Sequence, residues 1–154
     1  MPHGLRQALL FRLINYWPPY LGSGVKVRRV DLVNHRVDVE LAFRFWNKNY
    51  VGTQFGGSLY AMCDPFFMLI LMEALGPEYI VWDKAAQIFF KKPGKSKVRA
   101  TFQIPGHVIA RIREETRAQY KVEPEFSADI VDLEGNVIAQ VKKLLYVRRK
   151  DAVK

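Results

Sequence analysis

The chain has 154 residues, of which 49% are hydrophobic and 25% are charged, and its formal net charge is +9. This length and composition predict one globular domain over residues 1–154 and exclude a disordered or low-complexity protein. The single cysteine, Cys63, excludes an intrachain disulfide, and the N-terminus lacks a signal-peptide pattern, so we expect a cytoplasmic protein.

The excess positive charge is concentrated in residues 84–121, which contain 10 lysines and arginines against 2 acidic residues. Such a block favours an anionic partner, which could be a phosphorylated small molecule, an acidic membrane surface or a nucleic acid. The alternative is a solvated face that only keeps the protein in solution. The block lacks a recognisable nucleic-acid-reading element, so specific nucleic-acid binding is not expected.

The N-terminal segment predicts an amphipathic helix that ends at Pro18 and Pro19. Its apolar residues recur at helical spacing: Leu5, Leu9, Leu13 and Tyr16. From Gly24 the period of the pattern changes to two residues. Val25 and Val27 begin a first predicted strand, a turn follows, and the alternation over residues 37–45 predicts a second strand.

The next long segment, residues 58–75, is apolar on every side. A helix of this kind must be buried by elements that wrap around it. We expect no membrane span, because the apolar run is short for a bilayer and contains Asp64, Pro65 and Glu73.

Strand patterns return after the apolar segment, and residues 111–120 fit either a helix or a strand. The later strands are predicted at residues 79–90, 98–104, 126–133 and 137–147. The regular strand–helix alternation of a doubly wound sheet is absent. The order therefore predicts an α+β fold in which a curved antiparallel sheet wraps around one buried helix.

The most specific motif lies just before the buried helix. It is Asn49-Tyr-Val-Gly52-Thr-Gln-Phe55-Gly56-Gly57, followed by Asp64. This pattern resembles the hotdog-fold acyl-CoA thioesterases of the phenylacetyl-CoA thioesterase type. Their motif is Asn, two residues, Gly, two residues, His-Gly-Gly, and an acidic residue nine positions after the His. The resemblance continues through the strands to about residue 147, and leaves the N-terminal helix outside it.

The resemblance implies hydrolysis of an acyl-CoA to a free acid and coenzyme A, without a cofactor or metal. It implies that Asp64 acts as general base or nucleophile. The backbone N–H of Gly56 would polarise the carbonyl, Gly57 would allow close approach of the thioester, and Asn49 would orient substrate or water. Because the active sites of the family are shared between two subunits, a homodimer or a dimer of dimers is implied.

Two positions depart from the family pattern. Phe55 stands where the family usually has His, and we expect its side chain to contact the substrate. Asp83 lies near the position where some relatives have a Ser or Thr that helps to position water. The candidates for binding the coenzyme A phosphates come from the basic block: Lys91, Lys92, Lys95, Lys97 and Arg99.

The residues around the motif also have plain structural interpretations. An Asp followed by Pro is a good helix start, so Asp64 could cap a helix that begins at Pro65. The spacing of the motif favours the catalytic role. Cys63 has no obvious His partner and is expected to be a packing residue. The three histidines are spread along the chain without the spacing of metal ligands.

Other functions remain open from the sequence. One alternative is a non-catalytic acyl-CoA-binding hotdog protein, which would keep the pocket but lack turnover. The presence of Phe55 in place of the family's His keeps this alternative open. A hydroxyacyl-thioester dehydratase is less favoured, because those enzymes pair a His with the helix acid and this chain has Phe55 at that position.

Overall fold

The structure is a computed structural model that describes residue 11 and residues 13–153. The strands are β1 (Val25–Asp31), β2 (Arg36–Leu41), β3 (Tyr79–Phe90), β4 (Val98–Gln103), β5 (Glu125–Asp132) and β6 (Val137–Arg149). The helices within residues 13–153 are α1 (Pro18–Ser23), α2 (Gly56–Ala61), α3 (Phe66–Leu75) and α4 (Gly106–Ala118).

The six strands form one sheet in the order β1-β2-β4-β5-β6-β3. Every neighbouring pair is antiparallel. The alternation seen in the sequence sets the two faces, because side chains of successive strand residues point to opposite sides. Val37, Val39 and Leu41 on β2 are buried, while the residues between them are only partly covered. One face of the sheet therefore packs on the core, as predicted.

Helix α3 lies against this inner face and completes the core. The ring of Phe66 stacks on Phe102 of β4 with centroids 5.2 Å apart, and Phe67 contacts both Phe102 and Phe126 at 5.2 Å. These large rings bury apolar area on both the helix and the sheet. The predicted arrangement of a curved antiparallel sheet around a central helix is confirmed.

The central helical stretch differs from the prediction in one respect. It is divided into α2 and α3 by a turn at Met62–Pro65, within which the Asp64–Pro65 peptide bond is cis. By length and hydropathy the stretch Gly56–Leu75 is long enough to cross a membrane, contrary to the expectation from the shorter apolar run. Half of the apolar part of this stretch is buried inside the fold, as is typical of a core helix.

Two other boundaries differ from the sequence prediction. Strand β2 ends at Leu41 instead of residue 45, because the side-chain amides of Asn47 and Gln54 donate to the carbonyl of Ala42, at 2.7 and 3.2 Å. A 3₁₀ turn at Phe45–Asn47 follows. The ambiguous segment 111–120 is helical and belongs largely to α4.

The N-terminal helix prediction lies partly outside the described residues, since Leu5 and Leu9 fall there. Within the described part, Leu13 and Tyr16 are exposed, whereas Phe11 is buried. The predicted apolar face is therefore wrong over these positions. The two prolines at positions 18 and 19 begin helix α1 rather than only ending the preceding segment, because a first helical turn needs no N–H donor.

Candidate active site

Three charged side chains meet between the central helix and the sheet. The ammonium Nζ of Lys143 lies 2.8 Å from Oδ1 of Asp64 and 2.9 Å from Oδ2 of Asp83. The same nitrogen lies 3.3 Å from the hydroxyl of Tyr60 on α2. The structure thus brings together Asp64 and Asp83, which the sequence analysis had singled out separately, through a lysine that it had not considered.

Lys143 occupies an inward-facing position of β6. Alternate residues on that strand are buried apolar side chains: Ala139, Val141, Leu145 and Val147. Lys143 falls in the middle of this row, and its side chain is fully buried. A lysine in phase with the apolar positions of a buried strand is a signal that the sequence carries, because such a lysine must be paired.

Asp83 is placed by an irregularity in β3. The register of β3 against β6 shifts between Asp83 and Ala85, so Lys84 is an extra residue in the ladder. Bulges of this kind re-aim side chains near functional sites. Here the bulge allows Asp83, opposite the buried Leu145, to face the core next to Lys143. Its second oxygen, Oδ1, is buried without a hydrogen-bond partner in the described part of the chain.

The electrostatics of the cluster follow from burial and from the shared cation. Burial works to lower the pKa of Lys143, but its hydrogen bonds and charge interactions with Asp64 and Asp83 outweigh burial, so this pKa is raised and the lysine stays charged. Burial raises the pKa of Asp83, and the neighbouring Asp64 adds to this effect although Lys143 opposes it. Asp83 is thus harder to ionise than an exposed aspartate.

Asp64 is fixed at its backbone and open at its side chain. The buried hydroxyl of Tyr20 on α1 donates a hydrogen bond to the backbone carbonyl of Asp64. The side chain is 45% exposed, so the expected apolar burial is only partial. It makes no capping hydrogen bond to α3, whose N-cap residue is Pro65. The bond from Lys143 goes to Oδ1, and the side chain also lies close enough to Asp83 to share a proton with it.

Asn49 closes the loop that precedes α2. Its side-chain amide donates to Oγ1 of Thr53 at 2.8 Å and its side-chain oxygen accepts from the N–H of Thr53 at 2.9 Å. The loop places Gly56 and Gly57 at the first turn of α2. A Cβ atom on Gly56 would lie 3.0 Å from Cζ of Phe90, so a side chain there would need Phe90 to move. Close packing of Phe90 against this turn therefore explains why position 56 needs a glycine.

A cavity of about 450 Å³ connects the motif with part of the basic block. Its lining includes Asn49 and Gly56 from the motif, Phe90 from the end of β3, and Lys91 and Lys92 directly after it. Both lysines are exposed. The structure therefore joins these predicted substrate-binding lysines to the predicted catalytic glycine.

The remaining predicted binding residues lie elsewhere on the surface. Lys95 is exposed, Lys97 lies 3.6 Å from Glu40, and Arg99 is paired in register with Glu40 on the outer face of the sheet. The ring of Phe55 lines a separate recess next to Trp46. The chain thus does not bring these four residues into the cavity that contains Lys91 and Lys92.

Two further features of the described residues bear on the chemistry. Burial raises the pKa of the Cys63 thiol to about 12, which removes its nucleophilic form. The described residues contain no group of His, Cys, Asp and Glu that could hold a metal ion. A larger cavity of about 680 Å³ lies at the other end of α3, lined by apolar side chains such as Trp17 and Met72, and contains neither Asp64 nor Asp83.

Comparison of the sequence with known families gives one match. The family DUF4442, described as a domain of unknown function, matches residues 6–147. The chain belongs to this family. The match of this DUF4442 chain begins at Arg6, so it includes the N-terminal segment that the thioesterase resemblance leaves outside. No curated protein sequence matches the chain.

Several known structures resemble this DUF4442 protein over most of its length. PA5026 of Pseudomonas aeruginosa, described as a protein of unknown function and probable thioesterase, has a TM-score of 0.82 at 17% identity and covers 92% of this chain and 95% of that one. Thioesterase HI1161 of Haemophilus influenzae has a TM-score of 0.64 at 12% identity, covering 90% and 87%. The phenylacetic acid degradation protein PaaI of Thermus thermophilus has a TM-score of 0.57 at 20% identity, covering 85% and 98%. The DUF4442 chain therefore has the hotdog fold predicted from its sequence.

Proposed function

We propose that this protein is an acyl-CoA thioesterase that hydrolyses a thioester to a free acid and coenzyme A. The observation that carries the proposal is the accessible carboxylate of Asp64, which is held by a buried lysine at the position that the motif spacing selects. The names of two structural neighbours, a probable thioesterase and a thioesterase, support the same reaction class.

The carboxylate of Asp64 can act in either of two ways. As a general base it takes a proton from water, the water oxygen attacks the thioester carbon, and the coenzyme A thiolate leaves and receives the proton. As a nucleophile it forms an anhydride with the acyl group and releases the thiolate, and water then hydrolyses the anhydride. Both routes need an ionised carboxylate, and the ammonium of Lys143 lies 2.8 Å from Oδ1 of Asp64.

The carbonyl oxygen of the substrate would be polarised by the N–H groups of Gly56 and Gly57 at the start of α2. Gly56 precedes Asp64 by eight residues, and the turn at Met62–Pro65 begins between them. In the thioesterases that the motif resembles, the glycine turn and the carboxylate of one site come from two subunits. We therefore propose a homodimer, or a dimer of dimers, in which each site combines Asp64 of one protomer with the glycines of the other.

The coenzyme A phosphates would bind at Lys91 and Lys92, with Lys95 close by in sequence. Lys91 and Lys92 are both exposed and share their cavity with Gly56, at which the thioester carbonyl would bind. Lys97, Arg99 and the ring of Phe55 would have at most a secondary part in binding.

The two other hotdog functions differ in what the site must contain. A hydroxyacyl-thioester dehydratase needs a His beside the acid, and among the described residues no His contacts Asp64 or Asp83. A non-catalytic acyl-CoA-binding protein would bind the ligand without turnover.

We also place the protein in the cytoplasm, consistent with its buried, reduced Cys63.

The test is a thiol-release assay of the purified protein with acyl-CoAs of several chain lengths, together with calorimetric binding of the same compounds. The proposal expects steady-state release of free thiol with at least one of them. Binding without release would establish the non-catalytic alternative, and the absence of both would remove acyl-CoA as the ligand.

A further inference from the structure

Lys143 has no spare hydrogen bond to offer a substrate. An ammonium group has three N–H donors. Three acceptors lie within reach of Nζ: Asp64 Oδ1 at 2.8 Å, Asp83 Oδ2 at 2.9 Å and Tyr60 Oη at 3.3 Å. The side chain is fully buried as well. Its chemistry must therefore act through its neighbours and not on the substrate directly.

The two aspartates are not equivalent partners of this cation. Asp64 is 45% exposed at its side chain. Asp83 is 21% exposed, and its Oδ1 is buried without a partner among the described residues. The side chain of Asp64 is thus about twice as exposed as that of Asp83. Asp64 is the better placed of the two to meet a substrate.

The carboxylate of Asp83 shares the ammonium of Lys143 with Asp64. Two carboxylates that share one ammonium compete for it, and each disfavours ionisation of the other. Removal of Asp83 would leave the full charge of Lys143 to Asp64. Removal of Lys143 would leave Asp64 next to a like charge without compensation.

We propose that Lys143 is the positioning residue of this site, holding Oδ1 of Asp64 so that Oδ2 is the reacting atom, and that Asp83 tunes the basicity of Asp64 by competing for the lysine. The proposal rests on the thioesterase function proposed above. Nothing in the family motif around Asn49–Asp64 points to Lys143, which is 79 residues further along the chain than Asp64.

Three other titratable groups lie around the cluster. Burial raises the pKa of Cys63 to about 12. Burial, with a further contribution from Asp64, also raises the pKa of Tyr20. The remaining neighbour is the hydroxyl of Tyr60, which contacts Nζ of Lys143. The proposal therefore assigns the acid limb of the pH profile to the two carboxyl groups.

The test compares the pH dependence of kcat/KM in the parent, Lys143→Met and Asp83→Asn proteins. In Lys143→Met the acid limb of the profile should move to higher pH, because the cation that favours ionised Asp64 is gone. In Asp83→Asn the limb should move to lower pH, because the competing charge is gone. The kcat of Lys143→Met at pH 7 should fall by about tenfold to a hundredfold, the scale on which misplacing a reacting group acts.

Activity is expressed per folded molecule at each pH, so that a change in the folded fraction does not shift the limbs. Unchanged acid limbs in both variants, or shifts in the same direction, would overturn the proposal. If Lys143→Met does not fold, the comparison is made with Lys143→Arg and Asp83→Asn. The arginine keeps the positive charge but not the compact geometry of the ammonium. Lys143→Arg should then lose kcat while its acid limb stays near that of the parent.

A second measurement separates this inference from the proposed function. The side-chain carboxyl of Asp64 can be titrated by ¹³C NMR in all three proteins without any substrate. If the parent hydrolyses no acyl-CoA, the thioesterase proposal fails, yet opposite displacements of the Asp64 titration in the two variants would still support the role of Lys143. An active parent whose Asp64 titration does not respond to either substitution would leave the function standing and overturn the inference.

Discussion

At the scale of single residues, the site depends on one aspartate whose two oxygens face different surroundings. Oδ1 of Asp64 accepts from Lys143, and we propose that Oδ2 reacts with the substrate. The substitution Asp64→Asn keeps the shape of the side chain but removes its charge and basicity. We expect turnover of acyl-CoA to fall by about a hundredfold or more, the usual effect of losing such a group.

The measurement for Asp64→Asn is thiol release per folded molecule, with folding followed by circular dichroism and acyl-CoA binding by calorimetry. A matched control is Asp129→Asn, which removes an exposed aspartate of β5 that hydrogen-bonds Gln140. The control should retain parental turnover. A folded Asp64→Asn protein with full activity would contradict the catalytic role of this residue.

The raised pKa of Asp83 predicts how the free energy of unfolding depends on pH. Burial, reinforced by Asp64, raises its pKa in the folded state, so the folded protein holds this proton more tightly than the unfolded chain does. The free energy of unfolding then loses this contribution as the pH rises above the ordinary value of an Asp, about 4. In Asp83→Asn the asparagine does not titrate, so the free energy of unfolding does not lose this contribution. The free energy of unfolding of the variant, relative to the parent, should therefore increase between about pH 4 and pH 7.

Urea denaturation of both proteins at several pH values in that range checks this sign. The Asp129→Asn protein again serves as the reference for removing an aspartate outside the cluster. A difference between Asp83→Asn and the parent that is constant with pH would mean that Asp83 ionises as readily in the fold as in the unfolded chain, and a decreasing difference would mean that it ionises more readily in the fold.

The sequence identified two of the three charged residues of the cluster. Asp64 was found from the motif and Asp83 from its place near a family position, but the contact between them depends on the bulge at Lys84, which the alternation of β3 does not reveal. Lys143 was missed because the pattern of β6 was interpreted only for its apolar residues. A charged residue at an inward position of such a strand would have indicated a buried ion pair.

At the scale of secondary-structure elements, the end of β3 and the first turn of α2 together form the cavity that contains Lys91 and Lys92. The double substitution Lys91→Ala/Lys92→Ala should raise KM for acyl-CoA by about tenfold, equivalent to ~1.4 kcal/mol of binding. Its kcat should change little, because phosphates far from the thioester supply binding that is equal in ground state and transition state.

The matched control is Lys97→Ala/Arg99→Ala, which removes the same charge from β4 and from the loop before it. Steady-state kinetics at low ionic strength are required, because salt screens exposed charges. Equal effects of the two double substitutions would indicate a general field of the basic block. An unchanged KM in the first variant would assign Lys91 and Lys92 to solubility alone.

The elements themselves were largely predictable because their patterns are strong. β3 lies at residues 79–90 as predicted, and β5 and β6 differ from their predictions by one or two residues. The errors arose where side chains compete with the backbone pattern. Asn47 and Gln54 end β2 early by binding the carbonyl of Ala42, and the turn at Met62–Pro65 divides the central helix although its composition is uniformly apolar.

At the scale of the whole molecule, the sheet has an open edge beside the site. β3 is an edge strand of 12 residues and carries Asp83. Most of its residues are exposed, including Phe89 and Phe90. A long, apolar edge strand is a template for pairing with another chain. We propose that residues 1–154 act as one domain and that this edge, with the exposed rings, faces a second copy.

The expected dimer shares its active sites, and this makes a specific prediction for mixtures of inactive variants. Asp64→Asn removes the acid, and Gly56→Leu blocks the glycine turn, because even a Cβ at that position meets Phe90 at 3.0 Å. Each homodimer should be inactive. In a mixed dimer with two-fold symmetric sites, one site carries both defects and the other carries neither.

An equal mixture of the two variants, allowed to exchange subunits, should therefore recover about a quarter of the parental activity, because half of the dimers are mixed and each has one intact site. Light scattering establishes the dimer, and the thiol-release assay follows recovery over the time of exchange. The control is a mixture of Asp64→Asn with Asp64→Asn/Gly56→Leu, which contains no intact site and should stay inactive. If each site lies within a single protomer, no mixture recovers activity, because every site then has at least one defect. That result would leave the chemistry of Asp64 untouched but would require the glycine turn and the carboxylate of one chain to reach the same carbonyl.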